Sequence, residues 1–170
     1  TKRYVACICE GSAEKAIINL LLENDKLKFA KNEMLDHQII TCRDGKSFQR
    51  KYLRKDYKHK IKIYRILDSR REKFKLSKAY EGKIEVINVI TAPEIEMLII
   101  INENKYEEFK KSRLKPSEYC KSILKFKDVK SYIFVETYFQ NIDMLIQCIR
   151  EYKRISKLKS GECTLCDLLK

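Results

Sequence analysis

Short apolar runs alternate along the chain with segments whose apolar residues recur at helical spacing. Four stretches have the length and composition of β-strands: residues 4–9, 37–42, 60–67 and 84–90. Helical patterns follow the first three of them: residues 13–23, with Ser12 as the expected N-cap, 47–56 and 72–80. This alternation predicts an α/β fold, an open and mostly parallel four-stranded sheet with helices on both faces.

The second half of the chain has a largely helical pattern. Pro93 can begin a helix because its missing N–H is not needed at the first helical position. Beyond Pro116, helical spacing covers residues 117–124, 131–139 and 143–157. We therefore predict an α/β core over residues 1–112. A helical C-terminal extension over residues 113–170 is expected to pack on it, so that the two form a single domain.

Composition narrows the class of protein. The 170 residues include 37 Lys and Arg against 24 Asp and Glu, a net charge of +13, and 44% are hydrophobic, which argues against a disordered chain. No apolar run approaches the roughly 18 residues of a membrane span. Seven cysteines, an odd number, favour a reducing compartment, so we expect a cytoplasmic protein without membrane contact. Cys163 and Cys166 form a lone C-x-x-C, which favours incidental thiols over zinc.

Positive charge is concentrated in residues 43–65, which contain ten Lys and Arg but only two Asp, with three tyrosines between them. A second basic stretch covers residues 150–159. A basic surface with aromatic groups suits the phosphate backbone of nucleic acid, whereas the alternative is a solvated, Lys-rich face. We predict DNA or RNA as a partner. The expected contacts come from four residues of the first stretch: Arg50, Lys51, Arg54 and Lys55.

Acidic residues follow three of the four predicted strands. Glu10 follows the first strand, Asp68 the third, and Glu94 and Glu96 the fourth. The carboxyl ends of parallel strands share one edge of a sheet, where ligands bind. Carboxylates gathered there repel each other unless a cation neutralises them, and Mg²⁺ or Mn²⁺ is the usual solution. The sequence has no P-loop, no G-x-G-x-x-G and no nucleophile elbow. Metal-assisted phosphoryl transfer is the chemistry that this elimination and the pattern of acids both favour.

The order of these motifs resembles the Toprim domain, a Rossmann-like domain of topoisomerases, bacterial primases and the OLD and RloB-like nucleases. In Cys9-Glu10-Gly11-Ser12-Ala13-Glu14, a strand ends in Glu-Gly and a helix opens with a further acid. Two strand–helix units later a strand ends in Asp68. Residues 92–100, Ala-Pro-Glu-Ile-Glu-Met-Leu-Ile-Ile, are similar to the RloB-like block Asn-Pro-x-Phe-Glu-x-Trp-Leu-Leu. The resemblance covers residues 4 to about 100 and makes Glu96 the matching acid.

The resemblance implies a divalent-metal-dependent phosphodiesterase or nuclease acting on nucleic acid. In Toprim families a Glu and an Asp-x-Asp pair gather Mg²⁺ or Mn²⁺. By that pattern Glu10 and Asp68 would be metal ligands with catalytic roles, and Glu96 or Glu72 would supply the additional acid. A role in phage defence is implied by the OLD and RloB-like resemblance, which also leaves room for a partner protein such as an ATPase.

The chain departs from the Toprim pattern at the Asp-x-Asp pair, which is Asp68-Ser69-Arg70 here. Glu72, four residues after Asp68, could supply the missing carboxylate. Arg70 could instead act in catalysis, by binding the scissile phosphate or stabilising its transition state, because its planar guanidinium suits that task. The alternative function is a catalytically inactive subunit that keeps the fold and binds nucleic acid or a partner protein.

Overall fold

Four parallel strands form one sheet in a computed structural model of the chain, which describes residues 4–71 and 73–170. The strands lie in the order β1 (Tyr4–Cys9), β2 (Ile61–Leu67), β3 (Ile84–Ile90) and β4 (Glu162–Cys163). Every neighbouring pair is parallel. The open α/β class predicted from the hydrophobic pattern is confirmed.

The second of the four predicted strands is wrong, whereas the other three are present as β1, β2 and β3. Residues 37–42 contribute an isolated bridge between Ile40 and Ile8 rather than a strand. Asp36 and His37 have φ angles of 55° and 53°, so the chain turns sharply just before the apolar pair that suggested a strand. Ile40 still packs beside β1, where its amide donates to the carbonyl of Cys7. The fourth strand is instead β4, within the segment predicted to be helical.

Eight α-helices lie within the described residues, and none of them is long and apolar enough to span a bilayer. They are α1 (Ser12–Glu23), α2 (Gly45–Tyr52), α3 (Lys78–Glu81), α4 (Met97–Asn102), α5 (Tyr106–Ser112), α6 (Pro116–Ser122), α7 (Tyr132–Tyr138) and α8 (Ile142–Ile155).

Three helix predictions need correction. Gly11, rather than Ser12, is the N-cap of α1. The helix expected over residues 72–80 is reduced to α3, with residue 72 outside the described residues. The helix expected from Pro93 begins at Met97 as α4 and ends at Asn102. The helix α5 is separate from it, beyond Asn104, whose φ of 58° is left-handed.

The sheet lies between two hydrophobic cores. Val5, Cys7 and Cys9 of β1 face the larger core, while Ala6 and Ile8 face the smaller one. The larger core is built with α1, α4, α6, α7 and α8, and the smaller one is closed by α2. Because successive side chains of a strand point to opposite faces, a strand buried on both sides needs a continuous apolar run. The C-terminal helices α7 and α8 pack on α1 and α4.

Candidate functional site

A cavity of about 250 Å³ opens at the carboxyl edge of the sheet. The register pairs Cys9 with Ile66 and Leu67 with Ile90, so the segments that follow β1, β2 and β3 start from the same edge. We call this space the acid cavity because, among the described residues, four carboxylates and two cations line it: Glu10, Glu14, Asp68, Glu96, Arg43 and Lys130. The structure thus brings together Glu10, Asp68 and Glu96, whose roles remain predictions. Glu72 lies outside the described residues.

The Glu-Gly turn after β1 has a specific structural reason. A Cβ atom at Gly11 would overlap Oε2 of Glu14, so any other residue at this position would require the flexible Glu14 carboxylate to move. Glu14 lies in the first turn of α1, where the helix dipole favours a negative charge. Burial raises the pKa of Glu14, and the charges of Asp68 and Glu94 raise it further, while Lys130 opposes them. The space beside Gly11 is thus filled by the carboxylate of Glu14, a second acid that lines the acid cavity.

Glu96 is the most deeply buried acid of the cavity, with 3% of its surface exposed. It is the N-cap of α4, whose residues Met97 to Ile100 are all buried and hold it against the larger core. Burial raises the pKa of Glu96 from its ordinary value of 4.5 to about 7, with Lys130 opposing the shift and Glu94 and Glu14 adding to it. Its carboxyl group therefore exchanges a proton near neutral pH.

Lys130 supplies a cation to this group of acids from the connection between α6 and α7. Its Nζ lies 2.9 Å from Oε2 of Glu94 and 3.8 Å from Oε1 of Glu96. Ser117 donates hydrogen bonds to Glu94 from its amide and its hydroxyl group. Burial opposes ionisation of Glu94, but the bonds from Ser117 and Lys130 lower its pKa overall. The buried neighbour Val129 anchors the connection, so the C-terminal half of the chain completes the cavity.

The donor chemistry of the acid cavity fits a hard divalent cation. Four carboxylates at one sheet edge are the oxygen ligands that Mg²⁺ and Mn²⁺ prefer. Their present positions do not converge: across residues 4–71 and 73–170, no group of three or more His, Cys, Asp or Glu is arranged to hold an ion. Lys130 supplies positive charge to Glu94 and Glu96. Ion binding therefore requires the carboxylates to turn towards a common point.

Arg70 does not line the acid cavity, although it follows Asp68 by two residues. Its Nε lies 2.8 Å from both carboxylate oxygens of Glu162 in β4, and its Nη2 donates to the carbonyl of Lys157. The hydrogen bond to Glu162 raises the pKa of Arg70. Arg70 therefore connects the end of β2 to the C-terminal segment, and Lys130 and Arg43 are the cations that line the acid cavity instead.

The predicted nucleic-acid contacts lie away from the acid cavity. Arg50 and Lys51 are exposed on α2, whose Phe48 and Tyr52 pack on the sheet. Arg54 and Lys55 line a different cavity of about 240 Å³, which also includes Ile61 and Ile84, the first residues of β2 and β3. This amino-edge cavity lies at the opposite edge of the sheet. Of the basic stretch, Arg43 is the residue that lines the acid cavity.

Replacing these four cations with alanine should weaken binding of DNA or RNA about equally across sequences. Phosphate contacts carry no sequence information, and each lost contact should flatten the salt dependence of log K by roughly 0.9 on duplex DNA. Affinity measured over a salt series tests this for the variant with Arg50, Lys51, Arg54 and Lys55 replaced. The control variant loses the same charge at four lysines outside this set, each replaced with alanine: Lys26, Lys28, Lys31 and Lys170. Identical behaviour of the two variants contradicts a specific role for these four cations.

Two contributors to the cavity carry different amounts of signal in the sequence. Glu14 is four residues after Glu10, so a helix starting at residue 12 places it near the same strand end. Lys130 has no comparable signal, because it lies far along the chain and belongs to no motif. Packing of α7 against α1 brings its segment to the sheet edge. Only the tertiary structure identifies this cation.

The fold and the cavity together define an open α/β protein with an acid-lined, cation-bordered cleft at the carboxyl edge of a parallel sheet. No protein-family model, curated protein or solved structure matches the chain.

Proposed function

We propose that the protein is a divalent-metal-dependent phosphodiesterase or nuclease of the Toprim type that acts on nucleic acid. One observation carries the proposal: Glu10, Asp68 and Glu96 follow three different strands and line the same cavity. Parallel sheets bind ligands at this edge, and clustered carboxylates there suit a hard cation better than an organic anion. A cytoplasmic location, a role in phage defence and an ATPase-like partner belong to the same proposal, on the sequence arguments given above.

Mg²⁺ or Mn²⁺ is the proposed cofactor, with Glu10, Asp68 and Glu96 as ligands. Glu14 is the neighbouring acid that the structure adds to this set, and Glu72 is a further candidate outside the described residues. A bound ion supplies Lewis-acid polarisation of the phosphate and lowers the pKa of a water molecule. Ionised Glu96 is the form that could serve as a ligand, so the proton that it exchanges near pH 7 links ion binding to pH.

Lys130 and Arg43 are the cations placed to receive a phosphate. The Lys130 side chain is 64% exposed, so its ammonium group can move from Glu94 towards an incoming anion. The hydrogen bond to Glu94, together with the charge of Glu96, raises the pKa of Lys130 and keeps it cationic. A permanent positive charge beside a reacting phosphate stabilises the negative charge that develops in phosphoryl transfer.

The alternative function is a nucleic-acid- or partner-binding subunit without turnover. One observation favours it: among the described residues, no three potential ligands are arranged to hold an ion. The position of Arg70 agrees with it as well, because the residue that replaces the second Toprim Asp bonds to Glu162. The two functions differ in whether a divalent ion binds at the acid cavity.

A divalent ion should raise the melting temperature of the protein if the acid cavity binds it. An ion that binds only the native state stabilises it by about 2.7 kcal/mol at a hundred times its Kd, which corresponds to several degrees for a chain of this size. We expect millimolar Mn²⁺ to produce such a shift, and Glu10→Gln and Asp68→Asn to reduce it. Ca²⁺ should reproduce part of the shift without supporting cleavage.

Asp56→Asn provides the matched control for this measurement. Asp56 lines the amino-edge cavity, and its side chain is 93% exposed, so its charge is removed far from the acid cavity. The Mn²⁺ shift of this variant should equal that of the parent protein. If Mn²⁺ leaves the melting temperature of the folded parent protein unchanged, the result contradicts the proposed enzyme and favours a binding subunit without turnover.

A further inference from the structure

A second cavity, of about 350 Å³, lies at the same carboxyl edge as the acid cavity. We call it the tyrosine cavity, and six of its lining residues carry the argument: Arg70, Pro93, Met97, Tyr106, Tyr152 and Lys157. The remainder of the lining is mostly aliphatic. The lining that the structure describes includes cations and aromatic rings but no carboxylate. The tyrosine cavity therefore differs in chemistry from the acid cavity beside it.

The polar atoms of this lining are largely engaged with the protein itself. Arg70 bonds to Glu162 and to the carbonyl of Lys157. The Tyr152 hydroxyl donates to the carbonyl of Ala92 at 2.5 Å. These bonds hold the Arg70 guanidinium group in place and fix the Tyr152 ring in the cavity wall, where 6% of Tyr152 is exposed. The ring of the half-buried Tyr106 is the one that is accessible from the cavity. A ligand for this cavity should accordingly have a flat, apolar face and carry negatively charged groups beside that face.

A nucleobase attached to a phosphate chain has both properties. Bases stack on tyrosine rings and on arginine guanidinium groups, and such stacking tolerates any base because each has a π-face. The exposed Lys157 places positive charge beside the cavity, which suits the phosphates on either side of the base, whereas Glu162 balances the charge of Arg70. A peptide or lipid tail would use the aliphatic surface, but it would leave Lys157 without a function.

The two cavities are bordered by the same two chain segments. Asp68 lines the acid cavity and Arg70 the tyrosine cavity, two residues later. Glu96 lines the acid cavity, and the next residue, Met97, lines the tyrosine cavity. A strand with one phosphate at the acid cavity would thus bring a neighbouring base to the tyrosine cavity.

We infer that the tyrosine cavity binds an unpaired nucleobase of the substrate strand, and that the substrate is therefore single-stranded nucleic acid or an unpaired end. A base paired within a duplex cannot enter such a cavity without leaving the stack. The inference rests on the proposed function for its view of what occupies the acid cavity. It adds the class of substrate and assigns Tyr106 a role in binding, with Tyr152 as part of the cavity wall.

Binding of short oligonucleotides in EDTA tests the inference without cleavage. The probes are a fluorescent thymidine hexamer, an abasic hexamer with the same phosphates and a blunt duplex, measured by anisotropy. We expect the full chain to bind the thymidine hexamer about tenfold more tightly than the abasic one, which corresponds to about 1.4 kcal/mol. The duplex should also bind more weakly than the single-stranded thymidine hexamer.

Variants of Tyr106 show whether the ring itself is responsible. Tyr106→Ala and Tyr106→Leu should remove the preference for bases and leave affinity for the abasic hexamer unchanged, while Tyr106→Phe should retain the preference. Tyr80 is the matched control, because it is a half-buried tyrosine in the amino-edge cavity, and Tyr80→Ala should behave as the parent protein does. Using both Leu and Ala guards against an effect of lost packing.

Two results would overturn the inference: equal affinity of the parent protein for thymidine and abasic hexamers, or the same loss in Tyr80→Ala as in Tyr106→Ala. The proposed function fails separately. If binding depends on the base and on Tyr106 but no divalent ion supports cleavage, the proposed nuclease function is wrong and the proposed base-binding site is supported. If cleavage occurs without base-dependent binding, the proposed nuclease function is supported and the proposed base-binding site is wrong.

Discussion

Asp68→Asn is expected to lower Mn²⁺- or Mg²⁺-dependent cleavage of nucleic acid by about a hundredfold or more, because it removes a charged ligand from a hard-cation site. Asp68 is exposed at the end of β2, so the substitution should change the free energy of unfolding by no more than about 0.5 kcal/mol. Cleavage of single-stranded DNA and RNA over a range of Mn²⁺ concentrations measures the effect. The melting temperature in EDTA checks that the fold is retained.

Asp56→Asn again provides the control, since it makes the same chemical change at the amino-edge cavity. Its cleavage rate should equal that of the parent protein. Partial recovery of Asp68→Asn at high Mn²⁺ would support loss of metal affinity rather than loss of a proton-transfer group. Equal rates for Asp68→Asn and the parent protein, on every substrate that the parent cleaves, would remove Asp68 from the site.

Glu96→Gln is expected to abolish cleavage and to make the protein more stable at pH 8. Burial raises the pKa of Glu96 from 4.5 to about 7, so between these values the folded protein holds a proton that the unfolded chain releases. The stability of the parent protein therefore falls as pH rises through this window and levels off above pH 7. The whole effect corresponds to about 3 kcal/mol, an upper bound because glutamine also loses the ion pair with Lys130.

Thermal unfolding in EDTA at pH 5 and pH 8 measures this effect. At pH 5 Glu96 is largely protonated in the folded protein, so the substitution should change the melting temperature little. At pH 8 the variant should melt several degrees higher than the parent protein. Glu85→Gln, at an exposed position of β3, should show no such pH-dependent difference. A Glu96→Gln variant that is less stable than the parent protein at pH 8 would show that ionised Glu96 stabilises the fold. A gain in stability with loss of cleavage is expected for a group retained for function.

Much of the fold follows from local pattern. β1, β2 and β3 lie at or within one residue of their predicted limits, because a strand buried on both faces needs an unbroken apolar run. Once these strands are parallel, the residues after them share one edge, so Glu10 and Asp68 line a common cavity. Glu96 stands between the apolar residues Ile95 and Met97, and all three are buried. In these cases neighbours along the chain determine the result.

Other features depend on contacts between distant segments, which a single sequence does not reveal. The two-residue strand β4 has no pattern of its own and forms because the C-terminal segment reaches β3. Beyond the end of β2 the period of two no longer holds, so the direction of Arg70 is decided by Glu162, which lies 92 residues later. Lys130 reaches the acids because α7 packs on α1. The sequence by itself determined which strand ends carry the acids, and only tertiary packing decided which cations face them.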